Sequence, residues 1–139
     1  MNELSLDTKR CYVLGLGCER ATPTEEVLAL VRQALDLTGI EPGQLAGLAS
    51  IDSRNGEPAL QAVAALFDIP AIFFDPATLE RETPRISNPS AVVFARVGCH
   101  GVAESAAMAA IGVDAELVLP KIKSAHATAA IACALLQKD

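Results

Sequence analysis

The sequence is poor in aromatic residues, with no tryptophan, one tyrosine and four phenylalanines. Hydrophobic residues nevertheless occupy 51% of its 139 positions, and much of that fraction is alanine. The composition therefore predicts a core of small aliphatic side chains rather than one built on large rings. A chain of this length buries about two thirds of the surface that its unfolded form exposes, which is enough for one stable domain.

Basic residues are also in the minority, with 11 lysines and arginines against 17 acids and a formal net charge of −6. Nucleic-acid binding depends on neutralising phosphates with a basic face, so this charge disfavours it. Anionic membrane surfaces are disfavoured for the same reason. A small anionic ligand is not excluded, because a local cluster of cations can oppose the overall charge.

Long apolar runs are missing as well. No stretch reaches the roughly 18 residues of a membrane-spanning helix. The first ten residues have neither the basic region nor the apolar region of a signal peptide. We therefore expect a cytoplasmic protein that makes no membrane contact.

None of the four cysteines belongs to a C-x-x-C pair, and free thiols are expected in a chain without an export signal. A metal site that joins Cys99 and His100 to Cys18 or His126 is the alternative interpretation. The spacing of these residues matches no zinc pattern. We predict neither a metal nor a cofactor.

Apolar periodicity and turn residues predict alternating strands and helices. No internal repeat or linker divides them, so residues 11–139 are predicted to form one domain after a flexible segment at residues 1–10. The alternation indicates a three-layer α/β/α fold with a mixed, mostly parallel sheet. The predicted strands are residues 11–16, 45–52, 71–74 and 115–120, and the predicted helices are residues 22–38, 58–67 and 102–111. Residues 89–97 fit a helix or a strand, with Asn88-Pro89 favouring a helix start. Residues 127–136 fit either a helix or a buried strand.

Ligands in open α/β sheets bind beyond the carboxyl ends of the strands, so four loops are candidates for a binding site. The first follows the strand in "VLGLGCERAT", where Gly15 and Gly17 permit close backbone approach and Cys18 and Arg20 stand at the rim. The unpaired N–H groups of the next helix and the Arg20 guanidinium could hold an anion. A simple tight turn with a solvated arginine is the competing interpretation.

The second loop, "DSRNGEP", contains Asp52, Arg54 and Glu57. The functional interpretation has Arg54 holding an anion while one of the two acids handles protons. The competing interpretation is a surface ion pair around Arg54. Two carboxylates can divide acid and base roles only where their environments differ.

The third loop, "GCHGVAES", places His100 and Glu104 at the start of a helix. His100 is a candidate base because the ordinary pKa of histidine is about 6.5. Glu104 falls in the first helical turn, where an acid is favourable in any case. These two residues are the predicted proton-transfer candidates, and a solvated loop histidine is the alternative.

The fourth loop, "PKIKSAHAT", carries Lys121 and Lys123, which point to one face if the chain is extended. His126 and Thr128 add hydrogen-bond donors close by. With Arg20 and Arg54, these lysines bring four of the 11 basic residues into the strand-end loops. A solvated hairpin tip is the competing interpretation.

The four loop motifs resemble, in order and spacing, those of the CobE/CbiG C-terminal family of cobalamin biosynthesis. The resemblance covers about residues 11–133. The sequence departs from the family pattern in several places: Glu19 and Arg20 follow Cys18 where relatives often carry two basic residues, and Arg54 stands where many have lysine. The pair His100-Gly101 and the residue His126 replace less distinctive residues of the relatives. The segments that carry the resemblance are "GLGCERATPTEEVLALV", "LASIDSRNGEPAL", "VGCHGVAESAAMAAIG" and "LVLPKIKSAHATAAIA".

The resemblance implies a role in building the corrin ring, with a precorrin or corrinoid intermediate as ligand and other corrin-pathway enzymes as possible partners. CbiG-type relatives open the lactone of cobalt-precorrin-5A by hydrolysis and release acetaldehyde. A non-catalytic carrier of corrin intermediates is the alternative, and an enzyme with a flavodoxin-like sheet and a phosphate ligand is a third. A ring of cations above one hollow suits the carboxylate arms of a precorrin.

Overall fold

The computed structural model describes residues 6–7 and 9–135, and this part of the chain forms five strands and five α-helices. Three short 3₁₀ helices, Pro42–Gln44, Asp52–Arg54 and Thr83–Arg85, connect some of them. In chain order the main elements are β1 (Tyr12–Cys18), α1 (Thr24–Thr38), β2 (Leu45–Ile51), α2 (Pro58–Phe67), β3 (Ala71–Phe74), α3 (Pro76–Glu80), α4 (Ala91–Val97), α5 (Ala103–Ile111), β4 (Ala115–Lys123) and β5 (Ala127–Ala134).

The strands form one mixed sheet in the order β3-β2-β1-β5-β4. β1, β2 and β3 are parallel, whereas β5 runs antiparallel to both β1 and β4. The carboxyl ends of β1, β2, β3 and β4 therefore meet at one edge of the sheet, together with the turn between β4 and β5. This confirms the predicted α/β fold with a mixed, mostly parallel sheet, and the strand order differs from the 2-1-3-4-5 order of flavodoxin-like sheets.

Helices cover both faces of the sheet. α1 and α2 pack on one face through buried leucines and valines such as Leu30, Val31 and Leu60. α5 covers the other face with small side chains, including Ala106 and Ala107. The core is rich in alanine as the composition predicts, and three alanines of β5 are completely buried.

Gly15 explains how closely α5 approaches the sheet. A Cβ atom added at Gly15 would lie 1.9 Å from the backbone oxygen of Ala103, the first residue of α5. Only glycine therefore fits this position of β1. The close contact fixes the end of α5 that lies near the carboxyl edge of the sheet.

Several boundaries differ from those predicted. α1 begins at Thr24 and not at Thr22, whose hydroxyl donates to the Glu19 carbonyl at 2.6 Å. The final run is a strand, and β4 continues to Lys123 instead of ending at Pro120. Residues 89–97 do contain a helix, whose first turn is capped by the Ser90 hydroxyl.

The segment predicted to be flexible, residues 1–10, falls largely outside the described residues. Among the helices of residues 6–7 and 9–135, none has both the length and the apolar character needed to cross a membrane.

Candidate functional site

A cleft of about 430 Å³ opens at the carboxyl edge of the sheet. The loop after β1, helix α4 and the β4–β5 hairpin contribute its walls. Its apolar lining comes from Ile51, Val92, Val93, Val97 and Val102.

Four cations line the same cleft, although the chain as a whole is acidic. Arg54, Lys121 and Lys123 are three of the four that the sequence predicts to converge. Arg96 of α4 is the fourth, and Arg20 is exposed and does not line the cleft. Among the described lining residues, Glu19 is the one carboxylate.

The two cleft lysines lie at an irregular part of β4. The register of β4 against β5 shifts between Leu119 and Ile122, so one strand carries an extra residue at this point. The N–H of Lys121 donates to the carboxylate of Glu104 at 2.8 Å. Bulges of this kind redirect side chains next to functional sites.

Arg54 is held by the backbone of the neighbouring strand. It ends the short 3₁₀ helix after β2, and its Nε donates to the Cys18 carbonyl at 2.6 Å. One Nη group lies 3.3 Å from the Ser53 hydroxyl. The guanidinium is therefore oriented at the cleft before any ligand contact is made, which suits recognition of a carboxylate.

The loop after β1 is tied to its neighbours on both sides. Ala21 adopts a left-handed backbone conformation with φ of 62°, and its N–H donates to the buried Glu57 carboxylate at 2.7 Å. The N–H of Glu19 donates to the His126 carbonyl at 3.0 Å. Glu57 thus binds the backbone of the loop and does not line the cleft.

Glu26, near the start of α1, holds the β4–β5 turn. Its carboxylate accepts hydrogen bonds from the Ser124 hydroxyl, from the His126 N–H at 2.6 Å and from His126 Nδ1 at 3.0 Å. The hydrogen bonds from Ser124 and His126 lower the pKa of Glu26 to about 2. The bond to Glu26 and its negative charge raise the pKa of His126 above its ordinary value.

Gly17, Cys18 and Thr128 form part of the cleft lining at the end of β1. A Cβ atom at Gly17 would lie 2.8 Å from the Thr128 hydroxyl and 3.2 Å from Val102, so glycine leaves the space between them open. Burial and then the charge of Glu57 raise the pKa of the Cys18 thiol to about 11. The thiol is therefore neutral at physiological pH.

Besides Arg20 and Glu57, four of the predicted site residues do not line this cleft. Gly15 is buried under α5, and Asp52 borders a separate shallow depression on the α2 side. His100 stacks on Phe94 with ring centroids 4.4 Å apart, and its Nδ1 lies 2.8 Å from Glu80.

Glu104, the fourth, is a buried acceptor of several hydrogen bonds, with 2% of its surface exposed. It accepts from the N–H groups of Ser87, Asn88 and Lys121 and from the Asn88 side chain, all between 2.8 and 3.0 Å. Burial opposes ionisation, but these bonds outweigh it and lower the pKa of Glu104. The contacts of Glu104 are those of a residue that holds segments together, and its proton-transfer role stays a prediction.

Within residues 6–7 and 9–135, no three or more His, Cys, Asp or Glu side chains lie close enough together to hold an ion. The cysteines at positions 11, 18, 99 and 133 are free thiols.

Arg96 is the cation of the described cleft lining that the sequence does not predict. It lies on α4 with Val92, Val93 and Val97, and the spacing of positions 93, 96 and 97 places them on one helical face. That spacing is a signal in the sequence. The spacing alone does not predict a cleft residue, because nothing in the local sequence shows that this face of α4 turns toward the strand ends.

The described residues form an α/β domain with a mixed sheet and a cationic cleft at the carboxyl edge of that sheet. The family model described as "Cobalamin synthesis G C-terminus" matches residues 12–132. The chain belongs to this family and is a cobalamin biosynthesis protein.

Individual relatives agree with this assignment. The chain is 58% identical to "Protein CobE" of Sinorhizobium sp over 120 residues, which cover 86% of this chain and 78% of the relative. The crystal structure of CobE, a protein from the cobalamin (vitamin B12) biosynthetic pathway, superposes with a TM-score of 0.86 at 35% identity, covering 96% of this chain and 97% of that one. The "Cobalt-precorrin-5A hydrolase" of Priestia megaterium is 30% identical over 88% of this chain, which spans only 32% of that relative.

Proposed function

We propose that this protein binds a tetrapyrrole intermediate of cobalamin biosynthesis in the cleft and keeps it for the next enzyme. One observation carries the proposal: Arg54, Arg96, Lys121 and Lys123 surround one apolar-lined cleft in a chain of net charge −6. Precorrins combine an apolar macrocycle with several acetate and propionate arms. The apolar lining of the cleft suits the macrocycle, and its four cations suit the carboxylate arms.

The apolar lining suits the edge and face of the macrocycle. Ile51, Val93 and Val97 offer aliphatic contact, and burial of apolar area contributes about 25 cal/mol per Å². The cleft volume lies within the ~300–1,000 Å³ typical of small-molecule sites. Part of the ligand, including some carboxylate arms, would extend past the rim.

The cations suit the carboxylate arms. Each hydrogen bond to a charged group contributes about 1.5–3 kcal/mol before ordering costs. Arg54 is already oriented by the Cys18 carbonyl, which reduces the ordering cost at that position. Lys121 and Lys123 remain adaptable point charges.

A carrier role is better supported than a catalytic one. Glu19, the one carboxylate among the described lining residues, forms an ion pair with Arg96. The Cys18 thiol is protonated at physiological pH because its pKa is raised to about 11. His100 Nδ1 is hydrogen-bonded to the Glu80 carboxylate. The Glu104 carboxylate already accepts hydrogen bonds from four donors. None of these groups is arranged like an activated nucleophile, which requires a nearby base or a lowered pKa.

Lactone hydrolysis is the second candidate, favoured by the identity with the Priestia megaterium hydrolase. Under this alternative, His100 and Glu104 remain the predicted proton-transfer residues. His126 is better placed, because it lines the cleft and Glu26 fixes its Nδ1. If the purified protein alone released acetaldehyde from a lactone-bearing cobalt-precorrin, the carrier function would be rejected in favour of lactone hydrolysis.

The binding experiment is an absorbance titration with a corrin polycarboxylic acid and with the corresponding polyamide. The acid is expected to bind and the amide to bind at least about tenfold more weakly. Equal affinity for the two, or no binding of the acid at high protein concentration, would contradict the proposal.

A double variant tests the site. Arg54→Ala combined with Lys121→Ala is expected to weaken binding of the acid by about 10- to 100-fold. The matched control, Arg32→Ala combined with Arg81→Ala, removes the same charge from exposed positions outside the cleft. An equal effect of the two double variants would show that only overall charge matters.

A further inference from the structure

An ion pair joins two walls of the cleft. Nη1 of Arg96 on α4 lies 3.8 Å from Oε2 of Glu19 in the loop after β1, and both side chains line the cleft. The side chains are 67% and 53% exposed. An exposed pair at this distance contributes little to stability, so another anion can take the place of Glu19 with little cost.

The two partners are held differently. The backbone of Glu19 is fixed, because its N–H donates to the His126 carbonyl at 3.0 Å. None of the seven residues of α4 is buried, and the Arg96 side chain projects from it largely exposed. The long Arg96 side chain can therefore turn toward a ligand, while the backbone of Glu19 is anchored beside it.

We propose that Arg96 binds a carboxylate arm of the ligand and that Glu19 competes with that arm for the guanidinium. The inference rests on the proposed function and adds a residue pair that sets affinity. Glu19 lowers the affinity for anionic ligands in general. A ligand must bring its own carboxylate to Arg96, so a molecule without one gains nothing from displacing Glu19.

The surrounding charges agree with competition. The groups facing Glu19 are Arg96 and, more distantly, His126, whose pKa Glu19 helps to raise. Removing the Glu19 charge leaves these cations available to a ligand carboxylate. Without Arg96 there is no guanidinium for which Glu19 and a ligand carboxylate can compete. Glu19 then affects an anionic ligand only through long-range repulsion.

The test is a double-mutant cycle on binding of the corrin polycarboxylic acid. Arg96→Gln is expected to weaken binding about three- to tenfold. Glu19→Gln is expected to strengthen it about two- to fivefold. In the Arg96→Gln background, Glu19→Gln should lose most of that gain, which gives a coupling between the two sites.

Glu25→Gln is the matched control, since it removes one exposed acid six residues along the chain and outside the cleft. It should change affinity little. An equal gain from Glu19→Gln with and without Arg96 would mean general repulsion and would overturn the competition. Failure of the wild type to bind the acid overturns the proposed function and this inference together, whereas binding without a gain in Glu19→Gln overturns this inference alone.

Discussion

The carboxylate of Glu104 on α5 accepts the backbone N–H of Lys121 at 2.8 Å, in the irregular part of β4. The same carboxylate accepts both backbone N–H groups of Ser87 and Asn88, so it links α5, the segment before α4 and the strand that carries the cleft lysines. The cationic edge of the cleft therefore depends on a buried acid that does not itself line the cleft.

Glu104→Gln is expected to destabilise the fold by about 2–4 kcal/mol, because an amide N–H₂ would face donors that the carboxylate now satisfies. Urea unfolding at pH 7 measures the loss. The folded pKa of Glu104 lies below its ordinary 4.5, so its contribution is complete above that pH and is lost as pH falls through the folded value. The difference between variant and wild type should therefore shrink below pH 4.5.

Glu116→Gln on the exposed side of β4 is the control and should stay within about 0.5 kcal/mol of the wild type. A Glu104→Gln variant as stable as this control would contradict the linking role.

Gly15→Ala is expected to cost at least about 3 kcal/mol or to prevent folding, because the new Cβ would lie 1.9 Å from a backbone oxygen that cannot move without shifting α5. Circular dichroism with urea unfolding measures the change. Gly43→Ala is the control: nothing lies within 4 Å of its added Cβ, and it should be neutral or slightly stabilising. Equal stability of the two variants would show that α5 is not fixed by Gly15.

The pair of His126 and Glu26 gives a prediction about pH. The raised pKa of His126 stabilises the fold below about pH 6.5 and stops doing so as pH rises through the folded value. Glu26, whose pKa is lowered to about 2, stabilises the fold above pH 4.5. This contribution is lost as the pH falls through about 2. His126→Gln should therefore lower the melting temperature most between pH 4.5 and 6.5. A shift of equal size at pH 5.5 and pH 9 would contradict this pairing.

The sequence predicts the part of the site that local geometry determines. Lys121 and Lys123 point to the same cleft because alternate residues of an extended chain share a face, although the strand continues further than predicted. Arg54 lies at the cleft because it follows a strand at the carboxyl edge, as the sequence also predicts. Periodicity and turn residues suffice for these positions.

The rest of the site depends on contacts between distant segments. His100 and Glu104 were predicted as functional by their loop, but that loop follows α4 rather than a strand, so it does not open onto the sheet edge in the same way. Arg96 lies on α4, which follows a segment whose Ser87 and Asn88 are bound to Glu104, 17 and 16 residues away. No pattern in a single sequence reports such contacts.

Cys18 is the thiol of the described cleft lining, and its raised pKa keeps it protonated at physiological pH. Burial and then Glu57 raise this pKa to about 11, so only about 1% of the thiol is ionised at pH 9. Alkylation of Cys18 by iodoacetamide, followed residue by residue by mass spectrometry, should be much slower than that of free cysteine at pH 8. It should also keep rising with pH beyond 9.

Glu57→Gln provides the second arm of this experiment, because it removes the charge that helps to raise the Cys18 pKa. Alkylation of Cys18 in this variant should be faster at pH 8 than in the wild type, while burial keeps it slower than free cysteine. Labelling of wild-type Cys18 as fast as free cysteine would mean an accessible thiolate beside Arg54. The cleft would then contain a nucleophile, and catalysis would become the better-supported function.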